Sequence, residues 1–378
     1  MTFGGEPPAA VLDDGGPVFG PEPPAAPSSP PAAPASPVVG ARQLFGASFE
    51  LLMAAGRAMR PASFYVGLVV LGTVGPLVLA LLAVASVADL DVLFGPAVFD
   101  PEAPVPELPV SPAASGWLLV LVLVALAGIL AASIESSAVA IAVLGSHLAG
   151  RPVTTREAIA RSRLAFWWLV VAGIVLAIPT MIVQTGIEAA VPSLEASSVI
   201  GLVAAVIIQA PFVYATSGIV LGGVGPLEAY RRSVAVFRAR KMAGLLVTLF
   251  PVLFQFVLVF GLGVGLDVIA RVVTALGLDI HSGTPAVALI VVLSVMATFS
   301  VGTLLFTAAA LSVAPQVVMF VGLTQATIGL DSVRPGGPND PSHPSAGQAT
   351  FRWLTRPMVL GFVLGGLALA AFVASFEV

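Results

Sequence analysis

Apolar residues in this chain come in long unbroken runs, not in alternation. Seven stretches are each long enough for about 20 helical residues, the length that crosses roughly 30 Å of hydrocarbon. They lie near residues 64–86, 117–134, 165–187, 199–221, 243–266, 286–311 and 358–376. A backbone in lipid must satisfy its own hydrogen bonds, so these runs predict helices. Strands of about ten residues with alternating polarity, the mark of a membrane β-barrel, do not occur. The expected fold is all-α: a polytopic transmembrane bundle of about seven spans.

Two stretches allow another count. The sixth stays apolar as far as Leu323, and the second runs past Glu135 to Gly145. Basic residues decide, because cytoplasmic loops collect Lys and Arg. With seven spans, one side holds Arg42, Arg57 and Arg60; Arg151, Arg156, Arg161 and Arg163; Arg231, Arg232, Arg238, Arg240 and Lys241; and Arg334, Arg352 and Arg356. Only Arg271 falls on the other side. Splitting the sixth stretch would send the last three arginines across. The expectation is a cytoplasmic N-terminus and an extracytoplasmic C-terminus, in the cytoplasmic (inner) membrane. The Ala, Gly and Arg bias suggests a bacterium. The first outer loop, residues 87–115, agrees, with Asp89, Asp91, Asp100, Glu102 and Glu107 and no basic residue.

Composition narrows the function classes. Of 378 residues, 58% are hydrophobic and only 10% charged, and mean hydropathy is +1.04; a soluble domain carries about 25% charged residues. The net charge of −4 leaves no basic excess for nucleic acid. The absence of cysteine removes disulfides, thiol catalysis and Cys-ligated metals. His147, His281 and His343 fall on different loops and on both sides of the membrane, so no shared metal site is expected. No P-loop, H-E-x-x-H or G-x-S-x-G occurs. No cofactor and no enzymatic constellation is expected.

Four regions follow. Residues 1–40 hold eleven prolines among Ala, Gly and Ser, too little bulky apolar surface to offset ordering entropy. They predict a disordered cytoplasmic tail, and they lack the basic and apolar regions of a signal peptide. Residues 41–325 form a six-span membrane domain, residues 326–356 a flexible cytoplasmic loop, and residues 357–378 the seventh span.

Segments preceding the inward-starting spans look alike. In residues 41–60, Gln43, Glu50 and Arg57 recur every seven positions as a polar stripe, beside Leu44, Phe45, Phe49, Leu51, Leu52 and Met59. That is the form of an amphipathic helix lying in the membrane interface. In residues 226–241, Leu227, Tyr230, Val234 and Phe237 keep one face and Arg231, Arg232 and Arg240 lie off it. Residues 154–168 form a shorter version. Each is followed by a span with an internal proline, Pro76, Pro179 or Pro251. Three units, each a basic segment plus two spans, are expected, with a seventh span added; the alternative is that any cytoplasmic pre-membrane segment looks this way.

The run of residues 210–247, with Gly225, Pro226, Leu227, Glu228, Ala229, Arg231, Arg232 and Ser233 at its turn and basic segment, resembles the multi-pass membrane domain attached to some bacterial glycerophosphoryl diester phosphodiesterases, and related integral membrane proteins. The resemblance covers residues 41–325. It implies a membrane domain without the phosphodiesterase, whose barrel of about 250 residues finds no room outside the spans. It carries over no catalytic residue.

Candidate polar sites are few. Glu135, flanked by Ser133, Ser136 and Ser137, is either a functional intramembrane carboxylate or an interfacial residue paired with an arginine such as Arg161. Gln184, Gln209, Gln255 and Gln316 either line a path or hydrogen-bond between helices. Asp267 and Arg271 have the spacing of an i,i+4 pair. Trp117, Trp167, Trp168 and Trp353 sit at span ends, as interfacial anchors do. Gly218/Gly222, Gly261/Gly265 and Gly361/Gly365 fit close helix packing.

Arginine clusters on the cytoplasmic side attract anionic head groups, though the topology signal alone also explains them. Candidate anionic-lipid contacts are Arg42, Arg57, Arg60, Arg231, Arg232, Arg238, Arg240 and Lys241. The leading expectation is a non-enzymatic membrane protein, contacting lipid or organising the membrane or envelope, with the bilayer and anionic phospholipid as partners. The alternative is a small-solute or lipid transporter with a path near Glu135.

Overall fold

The computed structural model describes residues 40–85, 111–150, 152–252, 271, 284–327 and 356–376. These residues are helical with short joints, and no strand occurs among them. The all-α bundle is the observed fold. Helix α1 (Ala41–Ala54) meets α2 (Gly56–Ala85) at the single residue Ala55. Helix α3 (Pro112–Leu148) starts on the Ser111 cap, whose hydroxyl accepts from Ala114 N, with Pro112 at the first position, where no N–H is needed. Helix α4 (Thr155–Ala190) starts on a reciprocal cap: Glu157 N donates to Thr154 Oγ1 and Thr154 N to Glu157 Oε2.

Helix α5 (Leu194–Gln209) passes through a 3₁₀ turn at Ala210–Phe212 into α6 (Ala215–Gly222). Helix α6 stops at Gly223, whose φ of 60° is a left-handed conformation favouring glycine. Helices α7 (Pro226–Ala239) and α8 (Lys241–Val252) are separated only by Arg240. Helix α9 (Thr284–Thr327) and helix α10 (Arg356–Ser375) complete the set.

Five segments are long and apolar enough to cross a membrane: Gly56–Ala85, Pro112–Leu148, Thr155–Ala190, Glu195–Gly222 and Val287–Leu323. Lys241–Val252 and Val359–Ser375 are shorter apolar helices at the fifth and seventh expected spans. The fifth expected span runs past residue 252, outside the described residues. The sixth stretch is one continuous helix of 44 residues, as the arginine distribution requires. Pro76, Pro179 and Pro251 lie within α2, α4 and α8, but much of the third expected repeat unit lies outside the described residues. So do nearly all of the tail and of the loop at 326–356.

Helices α2, α3 and α9 pack together at the centre, with α10 against α2 and α3, α4 against α3, and α5 against α4. Glycine sets how closely they approach: a Cβ on Gly302 of α9 would lie 2.7 Å from Gly67 Cα of α2. The same holds at Gly361 and Gly365 of α10, which lie on Thr73 and Pro76 of α2, so this glycine pair does mark a helix contact.

Helix α3 is about 55 Å long and α9 about 66 Å, both well beyond the bilayer's hydrocarbon. At the arginine-rich end, residues 138–146 of α3 and 313–321 of α9 are buried on all sides. Leu44 and Leu51 of α1, Ala158 and Ile159 of α4, and Ile219 and Leu221 of α6 join the same core. Toward the other end, large apolar side chains face outward: Leu119, Leu123, Leu126 and Leu130 on α3, and Trp167, Ile174, Ile178 and Met181 on α4. Such a belt is the surface a chain inserted in lipid presents.

Candidate functional site

Glu135 is 4% exposed and sits where α2, α3 and α4 meet. Tyr65 of α2 donates its hydroxyl to Glu135 Oε2 at 3.0 Å. Arg163 of α4 donates from Nε to Glu135 Oε1 at 3.3 Å and from Nη2 to the Tyr65 oxygen at 3.2 Å. The carboxylate, guanidinium and phenol form a closed ring of hydrogen bonds. A charge removed from water is tolerable only with such pairing. The neighbouring serines turn back on their own helix: Ser133, Ser136 and Ser137 donate to Ile129 O, Ala132 O and Ser133 O.

Of the two arginines on this part of α4, the partner is Arg163 rather than Arg161. Two residues apart on a helix, these arginines point in nearly opposite directions. Arg161, 6% exposed, turns to the end of α6 and donates to Val220 O and Leu221 O. Those carbonyls have no further turn of helix to accept from, and a cation there also meets the negative end of the helix dipole.

The glutamines do not gather around Glu135. Gln184 lies 21 residues beyond Arg163 on α4, about 32 Å along the axis. It donates to Glu188 Oε1 of its own helix at 2.8 Å and lies over Gly201 of α5. Gln209 is half-buried at the end of α5, and Gln316 is buried in α9. Gln255, Asp267, Trp353, His281 and His343 lie outside the described residues. Trp117, Trp167 and Trp168 are exposed. Among the described residues no three acidic or histidine side chains converge as a metal site would need.

The amphipathic segment α7 is tied to the bundle by a repair. Pro211 interrupts the helical ladder between α5 and α6, and Ser233 of α7 serves both sides of the break. Its hydroxyl donates to Pro211 O at 2.8 Å and accepts from Tyr214 N at 3.1 Å. Tyr230 adds a bond to Ala172 O of α4, and burial pushes its hydroxyl pKa above the ordinary tyrosine value. The buried face of α7 is thus Ala229 and Ser233, while Leu227, expected on its apolar stripe, is exposed.

The eight basic residues expected to contact lipid divide into two kinds. Arg231 and Arg232 share Glu228 at 4.0 and 3.1 Å. Arg42, Arg57, Arg60, Arg238, Arg240 and Lys241 have no carboxylate partner among the described residues. On α1, Leu44, Ser48, Leu51 and Ala55 face the core, while Phe49 and Met53 on the opposite side are 62% and 70% exposed. Arg42 shares that outer stripe, and Gln43, Glu50 and Arg57 run beside it.

A half-open apolar cleft of about 500 Å³ lies between α2 and α9, with Val70, Val74, Leu293 and Thr298 in its wall. Another, of about 310 Å³, lies on α3 and α4 beside Ser133, Ser137, Ala172 and Tyr230. Glu135 lines neither. Comparison with protein-family models, curated proteins and solved structures gives no match.

Proposed function

We propose that this membrane protein contacts anionic lipid on the cytoplasmic face of the inner membrane, through α1 and the basic end of α7, and performs no chemistry of its own. The observation that carries this reading is the outer side of α1. Phe49 and Met53 stand exposed on a helix packed to the core by its other face, with Arg42 at its head and Arg57 just beyond its end. An exposed Phe–Met stripe beside unpaired cations suits the boundary between acyl chains and head groups. The closed Glu135–Arg163–Tyr65 ring supports a packing role for Glu135 over a transport path. We include in the same proposal the resemblance of residues 210–247 to phosphodiesterase-associated membrane domains.

The test is to extract the full chain with a lipid-retaining polymer and compare its co-purified phospholipids with those of the whole membrane. Anionic head groups are expected to be enriched several-fold. An unchanged head-group composition would overturn the proposal.

A further inference from the structure

The head of α1 and the joint between α7 and α8 enclose a half-open cavity of about 490 Å³. Arg238, Arg240 and Lys241 line it together with Gly40, Met242 and Leu246. None of the three cations has a carboxylate partner among the described residues. Gly40 is the N-cap of α1, no side chain caps that end, and no acid lies in the first turn. The first helical bond there runs from Leu44 N to Gly40 O, so the N–H groups before it lie at the helix end. The positive end of a helix dipole is thus added to three unpaired cations.

An apolar groove of about 410 Å³ lies beside this cavity. It runs between α5 and α8, past Leu202, Val206, Ile207 and Leu249, and shares Met242 and Leu246 with the basic cavity. Lys241 is the first residue of α8, so the cations stand at the mouth and the apolar wall follows the helix inward. The two spaces share the wall formed by Met242 and Leu246, the first lined by cations and the second wholly apolar.

We propose that this joined site holds one anionic phospholipid. Its phosphate lies among Arg238, Arg240, Lys241 and the head of α1, and one acyl chain lies along α8. The proposal rests on the lipid-contact reading above and gives it an address. A free anion would leave the groove unfilled, and a neutral lipid would leave the net positive charge uncompensated.

Lys241 is the single lysine of the chain, so an amine-reactive reagent reports on the cavity through one peptide. The full chain is placed in nanodiscs of phosphatidylcholine, with or without phosphatidylglycerol, and Lys241 labelling is timed by mass spectrometry. Phosphatidylglycerol is expected to slow labelling by about fivefold or more. A lysine introduced by Arg231→Lys, beside Glu228 on the outer part of α7, should change little.

Leu246→Trp fills the groove without touching a charge and should abolish the protection. Equal slowing at both lysines would overturn the site while leaving lipid contact at the surface standing; no slowing at either would count against both readings. Protection by inorganic phosphate alone, or its persistence in Leu246→Trp, would make this a small-anion site and overturn the phospholipid assignment. Protection already complete in phosphatidylcholine would assign the cavity to a neutral lipid or to a segment of the chain itself, and overturn it too.

Discussion

Helix α3 has two halves with opposite surroundings. Its first half turns Leu119, Leu123, Leu126 and Leu130 outward, while residues 138–146 of its second half touch protein on every side. Residue size separates them. The enclosed half reads Ala138, Val139, Ala140, Ile141, Ala142, Val143, Leu144, Gly145 and Ser146, alternating small with medium side chains so that neighbours can close in from all directions. The outer half keeps leucine where the described residues leave it largely exposed. Apolar character alone therefore says that a segment avoids water, and side-chain volume says whether lipid or protein replaces it.

The strongest way to break this contrast is through the enclosed charges. Arg163→Ala leaves Glu135 buried with Tyr65 alone, and should cost about 3–5 kcal/mol in reversible unfolding in mixed micelles. The pair Glu135→Gln with Arg163→Met should restore most of that loss. A neutral Arg163→Ala would mean the enclosed half is not the fixed part of the molecule.

A matched pair on α3 sharpens the point. Leu144→Ala opens a cavity among residues that cannot close on it and should cost about 2–3 kcal/mol. Leu126→Ala on the outer half should stay within about 0.5 kcal/mol. Equal effects in thermal unfolding would erase the distinction between the halves. Below Leu144→Ala in size, Ser233→Ala removes one hydroxyl from the Pro211 joint and should cost about 1–2 kcal/mol by leaving Pro211 O and Tyr214 N unpaired. Faster hydrogen exchange at Tyr214 would report the same loss locally.

Much of the architecture is legible in the sequence, because lipid forces the backbone into helices and a run's length then gives the element. The 44-residue α9 follows from an unbroken apolar stretch, and the Glu228 pairs follow from spacing of three and four. Partners across helices are harder to read. Arg161 and Arg163 are equivalent as text, and only the rotation of α4 about its axis sends one to Val220 and Leu221 and the other to Glu135. Ser233 gives half a signal: Pro211 announces a broken ladder, but nothing local says which hydroxyl mends it. The stripe that holds Leu227 shows a related limit. An apolar stripe on an interfacial helix can face lipid as well as core, and the buried side of α7 is carried by the small residues Ala229 and Ser233.

Arg161 also imposes an order in time. Tyr65, Glu135 and Arg163 all belong to the first 163 residues, so that ring can close while the chain is still being made. Arg161 sits beside it, yet its two carbonyl acceptors arrive 59 and 60 residues later. The contact of α4 with the end of α6 through Arg161 can therefore form only after Val220 and Leu221 have been synthesised.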